Sequence, residues 1–349
     1  MAGEHTLWFR VDASPSIGTG HVMRCLAIAE AWIEHGGTAA FVGDCPPRLL
    51  RRSAVLGIRH VAVPARHPDP KDLDATLRTV PAGAPLVLDG YGFDAAFQAA
   101  VRAGHPLVVI DDTGHLPAYD CDLLVNHNVD ADRIDYPLPA TACLVGPRVF
   151  PLRAEFRARC GRRREVRAAA RRVLVTLGGT DPGGHTAGIV EGLVGGDLGV
   201  EVRVVLGPLA GSGERLDELV SAHPRRVQRR DDARDMPDLM AWADVAVAGG
   251  GTTSLELAFM GLPSVLLTLA ENQVATAAGL ARLGAALDLG PADALGADRC
   301  RDATAALLGD RRRRARMSAC GHDLVDGHGA SRLVERIRSL TGGWRRSTR

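Results

Sequence analysis

Short apolar runs alternate along the chain with stretches whose apolar residues recur every three or four positions. In the first half the runs 7–11, 39–42, 86–88, 107–110 and 123–125, bounded by Gly, Pro or Asp, predict buried strands. The second half repeats the pattern with VLVTL (173–177), VEVRVVLG (200–207), ADVAVAGGG (243–251) and PSVLLTL (263–269). Strands that alternate with helices predict parallel sheets. The first helix is the best defined: Val22, Leu26, Ala29 and Ile33 recur at helical spacing after the run GTGH (18–21), until Gly36 and Gly37 stop it. His21 then falls in its first turn.

This α/β design is used twice, and 349 residues exceed what one hydrophobic core usually serves. The expected organisation is a Rossmann-like domain over 1–155, a second over 165–320, and a C-terminal segment 321–349. In that segment Leu333, Val334, Ile337 and Leu340 share one face of a helix that packs back on the first domain. Positions 153–172 hold nine arginines and two acids with Gly161 among them, which reads as a solvated connection; the arginines at 311–314 read the same way.

Composition narrows the function classes. Lys and Arg total 42 against 41 for Asp and Glu, so no net field draws the chain to nucleic acid or to an anionic membrane. Seven scattered cysteines without a C-x-x-C pair predict neither a zinc site nor a disulfide framework. The first residues lack a basic segment followed by an apolar core, and no stretch approaches the ~18 apolar residues of a membrane span. The expectation is a cytoplasmic protein, a monomer or weak dimer, with no transmembrane segment, metal or cofactor.

Ligands of open parallel sheets collect beyond the carboxyl ends of the strands, so the loops there carry the candidate chemistry. The first, DASPSIGTGH (12–21), runs from Asp12 through Gly18 and Gly20 to His21, with Arg24 one turn on. Its glycines permit close approach to free N–H groups at a helix start, although G-x-G-x-x-G is absent and a dinucleotide is disfavoured. Read alone, His21 is a helix-start residue. The second, LDGYGFD (88–94), offers Asp89 and Tyr91, one of three tyrosines, and is followed by Asp111 and Asp112, which read as turn caps rather than metal ligands.

The third loop, TLGGTDPGG (176–184), presents Gly178 and Gly179 after a buried strand and lacks the Gly-Lys-Ser/Thr of a nucleotide-hydrolysing loop. The fourth, AGGGTTSLEL (248–257), is the most informative. Gly250, Gly251, Thr252 and Thr253 lead into a helix start suited to phosphate, and Glu256 one turn inside can accept hydrogen bonds from two ribose hydroxyls. The same Glu256 can instead close a capping box with Thr253. Glu271, Asn272 and Gln273 follow the strand PSVLLTL.

These segments, with VIDDTGHLPAYDCDLLVNHN (109–128) and DGHGASRLV (326–334), together resemble the UDP-sugar hydrolases of the pseudaminic acid pathway and the spore-coat polysaccharide proteins grouped with them. More distantly, the second half resembles the nucleotide-sugar domain of the lipid II-forming glycosyltransferase. The resemblance implies a GT-B arrangement, two Rossmann-like parallel-sheet domains facing a cleft. It further implies that His21 is the general base for water and that Tyr91 positions the sugar. Glu256 would bind the ribose, Gly251, Thr252 and Thr253 the diphosphate, and Glu271, Asn272 and Gln273 the sugar or phosphates. The run TGHLPAY (113–119) and the pair His127 and Asn128 depart from that family's pattern, leaving the sugar open.

The expected activity is hydrolysis of a UDP-sugar at the anomeric carbon with inversion, in polysaccharide biosynthesis. Transfer of the sugar to a soluble acceptor on the same fold is the alternative. A nucleotide-sugar-binding protein without turnover would keep the Glu256 loops and have no use for His21.

Overall fold

A computed structural model describes residues 6–347 except 15–16, 64, 140–141, 197 and 212. The chain divides into two units, one formed by Met1–Ala154 with Gly327–Arg349, the other by Glu155–Asp326.

The first unit is built on seven strands: β1 (Thr6–Val11), β2 (Thr38–Val42), β3 (Arg59–Val61), β4 (Leu86–Asp89), β5 (Leu107–Ile110), β6 (Leu123–Asn126) and β7 (Cys143–Val145). They lie in the order β3-β2-β1-β4-β5-β6-β7, with every pairing parallel. The winding direction reverses between β1 and β4, which opens a crevice at the carboxyl ends of those two strands. Val11 is in register with Asp89 there.

Period-2 alternation divides the side chains of β1 between two cores. Leu7, Phe9 and Val11 face the first helix, Gly20–Glu34, while Trp8 joins Leu86, Leu88 and Phe97 on the other face. Arg10, also on that second face, is fully buried and held by a two-pronged pair with Asp72, Nε to Oδ1 at 2.9 Å and Nη2 to Oδ2 at 2.7 Å. A buried guanidinium is tolerable only with such a partner. The helix Gly329–Ser347 inserts Ala330, Leu333, Val334 and Ile337 into the core beside the first helix. Gly329 is where the returning chain meets the first unit, because a Cβ there would sit 2.2 Å from the Phe150 carbonyl. The outgoing chain is tied nearby by the Ala154 N–H to Glu30 Oε2.

The second unit has β8 (Arg172–Thr176), β9 (Glu201–Leu206), β10 (Val227–Asp231), β11 (Val245–Gly249), β12 (Ser264–Thr268) and β13 (Ala286–Pro291). Their order is β10-β9-β8-β11-β12-β13, again parallel throughout, so the reversal falls between β8 and β11.

Two arginines of these runs, Arg164 and Arg314, depart from the solvated reading, while Arg162, Arg163, Arg167 and Arg171 are exposed. Arg164 donates to the carbonyls of Ala243, Met240 and Met260 and is half-buried, and Arg314, 1% exposed, donates to the carbonyls of Leu307, Leu308 and Arg167. Their reason is the accounting of backbone acceptors: carbonyls at helix ends and loops inside the unit need donors, and one guanidinium supplies several. Charge density along the sequence does not reveal which arginines turn inward.

The loops after β8 and β9 are packed backbone to backbone. Leu209 N–H donates to the Gly179 carbonyl at 3.0 Å, and a Cβ at Gly207 would lie 2.2 Å from Gly178 O and 2.5 Å from Gly179 Cα. Gly207→Ala is therefore expected to push the 178–181 loop off its seat and cost about 1–3 kcal/mol. Urea unfolding checks this: the midpoint falls in the variant, and an unchanged midpoint would show that the loops are not so packed.

Candidate functional site

In the first unit the polar groups gather at the crevice between β1 and β4. The backbone leaves β1 through Asp12, whose Oδ1 accepts from Arg10 Nη1 at 2.7 Å and from the Asp44 N–H at 2.8 Å; Asp12 thus fixes the loop's departure. Gly18, at φ +86°, closes a local turn by donating to the Ser14 carbonyl, and the helix begins at Gly20. A left-handed φ favours glycine at position 18. His21 follows in the first turn and is 5% exposed.

His21 Nδ1 lies 2.6 Å from Asp89 Oδ1 at the end of β4. Arg24, one helical turn on, grips the same carboxylate through Nε to Oδ2 at 2.6 Å and Nη2 to Oδ1 at 2.5 Å, and its Nη1 reaches Asp112 Oδ1 at 2.6 Å. The second oxygen of Asp112 accepts from the Tyr91 hydroxyl at 2.7 Å. Tyr91 stands edge-on to His21, ring centroids 5.1 Å apart, with His115 against it at 5.6 Å. Arg24, expected among the substrate-binding residues, is instead 4% exposed and engaged by two carboxylates. It stands behind the site rather than in it, because a guanidinium buried so deeply must be paired within the protein.

The charges here are set by that pairing. Burial works against ionisation of Asp89, but Arg24 and then His21 outweigh it and lower its pKa to about 2. Burial likewise opposes Asp112, and Arg24, followed by His127, holds it well below the ordinary carboxylate range. Both are carboxylates at neutral pH. An ionised Asp89 at 2.6 Å requires a proton on His21 Nδ1, since two facing lone pairs would repel. In the neutral ring that leaves His21 Nε2 as the acceptor nitrogen, the arrangement a general base needs.

Asp111 serves a different purpose. Its carboxylate accepts from the N–H groups of Thr113 and Gly114, from the hydroxyls of Tyr119 and Tyr136, and faces His115 Nδ1 at 2.8 Å. It is the turn cap read from the sequence, with side-chain partners added, whereas Asp112 belongs to the His21 group. His127 lies past the end of β6 against Phe150, 1% exposed, with Nδ1 buried and lacking a hydrogen-bond partner among the described residues. Burial, then repulsion by Arg24, pushes its pKa down to about 4, so the ring is neutral.

Three loops converge in the second unit. The glycine run at the end of β11 brings backbones together: a Cβ at Gly249 would lie 3.1 Å from the Leu177 carbonyl, and one at Gly250 3.2 Å from the Gln273 carbonyl. Gly178, at φ +89°, and Gly179 follow Leu177 on the β8 side of the β8–β11 reversal. The helix Thr252–Phe259 has Gly251 as its N-cap, with no side-chain cap. Its opening N–H groups have no intrahelical acceptor, and the helix dipole favours an anion there. Thr253 lies inside the helix, so the capping box with Glu256 does not form; the hydroxyl of Ser254 turns back to the Gly251 carbonyl at 2.7 Å. Glu256 is half-buried one turn in. Glu271, Asn272 and Gln273 form a single 3-10 turn after β12, the first two exposed, and Gln273 Oε1 accepts from the Leu269 N–H at 3.0 Å while its amide nitrogen borders Gly251.

Asp89, Asp112 and His127 were not among the expected site residues. The legible signal for Asp89 was an acid closing the apolar strand LVLD beside the strand that leads to His21. No comparable signal marks Asp112 as Arg24's partner, because that contact joins residues 88 positions apart.

No protein-family model matches the chain. It is 29% identical over 175 residues to the spore coat polysaccharide biosynthesis protein SpsG of Bacillus subtilis, an alignment covering 49% of this chain and 50% of that protein, so the chain spans about half the length of this curated relative. Among solved structures it is similar to MurG of Acinetobacter baumannii, with TM-score 0.64 and 16% identity over 96% of this chain and 99% of that one. It is similar also to CalG4, the calicheamicin glycosyltransferase, with TM-score 0.66 and 15% identity over 97% and 98%. Among the described residues no helix is long and apolar enough to cross a membrane. Over about half its length the chain is similar to SpsG, and its two parallel-sheet α/β units have the fold of the GT-B glycosyltransferases.

Proposed function

We propose that this chain is an enzyme that hydrolyses a UDP-sugar at the anomeric carbon with inversion. The observation that carries the reading is His21 Nδ1 held 2.6 Å from Asp89 Oδ1 at the strand reversal of its sheet, which in the neutral ring leaves Nε2 as the acceptor. Water gives a proton to His21 Nε2 as its oxygen bonds to the anomeric carbon. The bond from that carbon to the diphosphate oxygen breaks on the opposite face, and its electron pair leaves with UDP. Tyr91, oriented by Asp112, lies against the base where it can position the sugar.

The leaving group falls to the second unit. Gly251, Thr252 and Thr253 offer N–H groups and the positive end of a helix dipole, which stabilise charge developing on the diphosphate without any metal in the proposed reaction. Gly178 and Gly179 line the facing loop, Glu256 accepts from the ribose hydroxyls, and Glu271, Asn272 and Gln273 border the phosphates or sugar.

A second reading, transfer to a soluble acceptor, is favoured by the names of the similar structures, one of them a calicheamicin glycosyltransferase. The same base then deprotonates an acceptor hydroxyl, and fold cannot separate the two.

Two expected outcomes follow from these roles. In ¹⁸O-labelled water with a UDP-sugar and no acceptor, the protein releases UDP, and the label appears on the anomeric oxygen of the sugar and not in UDP. His21→Ala lowers that turnover by ~10²–10⁴-fold with UDP affinity kept. UDP release only on adding an acceptor would replace hydrolysis by transfer, and full activity in His21→Ala would remove the residue from the chemistry. By calorimetry, Glu256→Ala weakens UDP binding by about tenfold or more, the loss of charge-assisted hydrogen bonds of about 1.5–3 kcal/mol; unchanged affinity in the folded variant would contradict the ribose assignment.

A further inference from the structure

Arg24 donates to both carboxylates of the His21 group, and through them it acts on both His21 and Tyr91. Asp89 orients His21, and Asp112 orients Tyr91. We infer that Arg24 is a positioning residue for the proposed base, fixing the Nδ1-protonated tautomer of His21, aligning Tyr91 through Asp112, and setting the charge that His21 meets when it takes a proton.

The geometry leaves His21 a choice that Arg24 and Asp89 decide together. Arg24 Nη2 lies 2.9 Å from His21 Nδ1, so the ring could accept from the guanidinium, but it would then carry its proton on Nε2 and have no basic nitrogen to offer. The two-pronged grip of Arg24 on Asp89 holds Oδ1 within 2.6 Å of Nδ1, and that ionised oxygen takes the imidazole proton instead. Without the grip Asp89 is free to rotate, and the tautomer is no longer fixed.

The charge count points the same way. Among the described residues, Asp89 at the end of β4, Asp112 past β5, Arg24 and Cys25 on the helix, Tyr91 in the loop after β4 and His127 past β6 are the titratable and charged groups around His21. Burial pushes the Cys25 thiol up and it stays neutral, as does His127. Two carboxylates and one guanidinium leave a single negative charge while His21 is neutral, and the imidazolium formed after proton abstraction cancels it. Removing Arg24 leaves two negative charges beside the ring and favours the imidazolium too much; removing the charge of Asp112 leaves none and disfavours it.

The catalytic consequence rests on the reading of His21 as base, so the test uses a readout that does not depend on turnover. The full chain carrying ¹⁵N,¹³C-labelled histidine is titrated by NMR as wild type, Arg24→Met, Arg24→Lys and Asp112→Asn. The His21 midpoint is expected to rise by about one unit or more in Arg24→Met, to fall in Asp112→Asn, and to stay near wild type in Arg24→Lys, which keeps the cation. The ¹⁵N shifts report the Nδ1–H tautomer in wild type and a mixture once the two-pronged grip is lost. Where UDP release is measurable, the acid limb of its pH profile moves in the same directions. Midpoints in Arg24→Met and Asp112→Asn that stay put, or move in the same direction, would overturn the inference, since general loosening has no reason to give opposite signs. If Arg24→Met does not fold, Asp112→Asn and Arg24→Lys still decide it. Wild type without turnover but with these opposed shifts would refute the hydrolase reading while leaving Arg24's role intact.

Discussion

Asp89 is a carboxylate with no exposure, placed at the end of a central strand, and an isolated charge so buried costs several kcal/mol. The protein offsets that cost with a two-pronged guanidinium, an imidazole N–H and a thiol, all from one helix. The spacing of that helix makes the arrangement work: residues three and four apart share a face, so His21, Arg24 and Cys25 turn toward one point. Everything outward from there is ordered by it, the tautomer of His21 directly and the hydroxyl of Tyr91 through Asp112. A site built this way is preorganised before any ligand arrives, which is what electrostatic catalysis requires.

The two sheets apply one rule to two kinds of chemistry. At the reversal of the first sheet, β1 and β4 bring an imidazole and a carboxylate together; at that of the second, β8 and β11 bring glycine loops and a helix start. The first crevice is made by side chains and the second by backbone, and each fits the task proposed for it. A proton needs an acceptor nitrogen of fixed orientation. A diphosphate needs several N–H groups at close range, and only residues lacking Cβ atoms let it approach.

Much of this could be read in the sequence, for identifiable reasons. Apolar runs such as VLVTL and PSVLLTL are strands because a sheet covered on both faces wants uninterrupted apolar residues, and glycine after a strand marks a turn that a ligand can approach. The place of His21 after GTG marked it as a helix-start residue, and only the family resemblance implied that it is a base. What stayed hidden depends on long-range pairing. Arg24 looked like a ligand-binding cation because nothing local shows that Asp89 and Asp112, 65 and 88 positions away, neutralise it. Arg164 and Arg314 looked solvated for the same reason, their carbonyl partners lying far along the chain or hidden within helix ends. Thr253 and Glu256 fit a capping-box spacing, but the N-cap is Gly251 rather than Thr253, and that shift of two positions removes the motif.

The first unit's core is completed by Ala330, Leu333, Val334 and Ile337, which follow the whole of the second unit in the chain. A ribosome making the protein therefore delivers the sheet that holds His21 early and the helix that seals it late. Domains tend to fold as they emerge, so the second unit has all its residues in hand while the first still lacks one wall of its interior. During that interval the face of the Gly20–Glu34 helix that awaits the late helix is open apolar surface, the kind that chaperones hold and that aggregates nucleate on. The order of assembly thus runs opposite to the order of synthesis: the unit begun first is finished last.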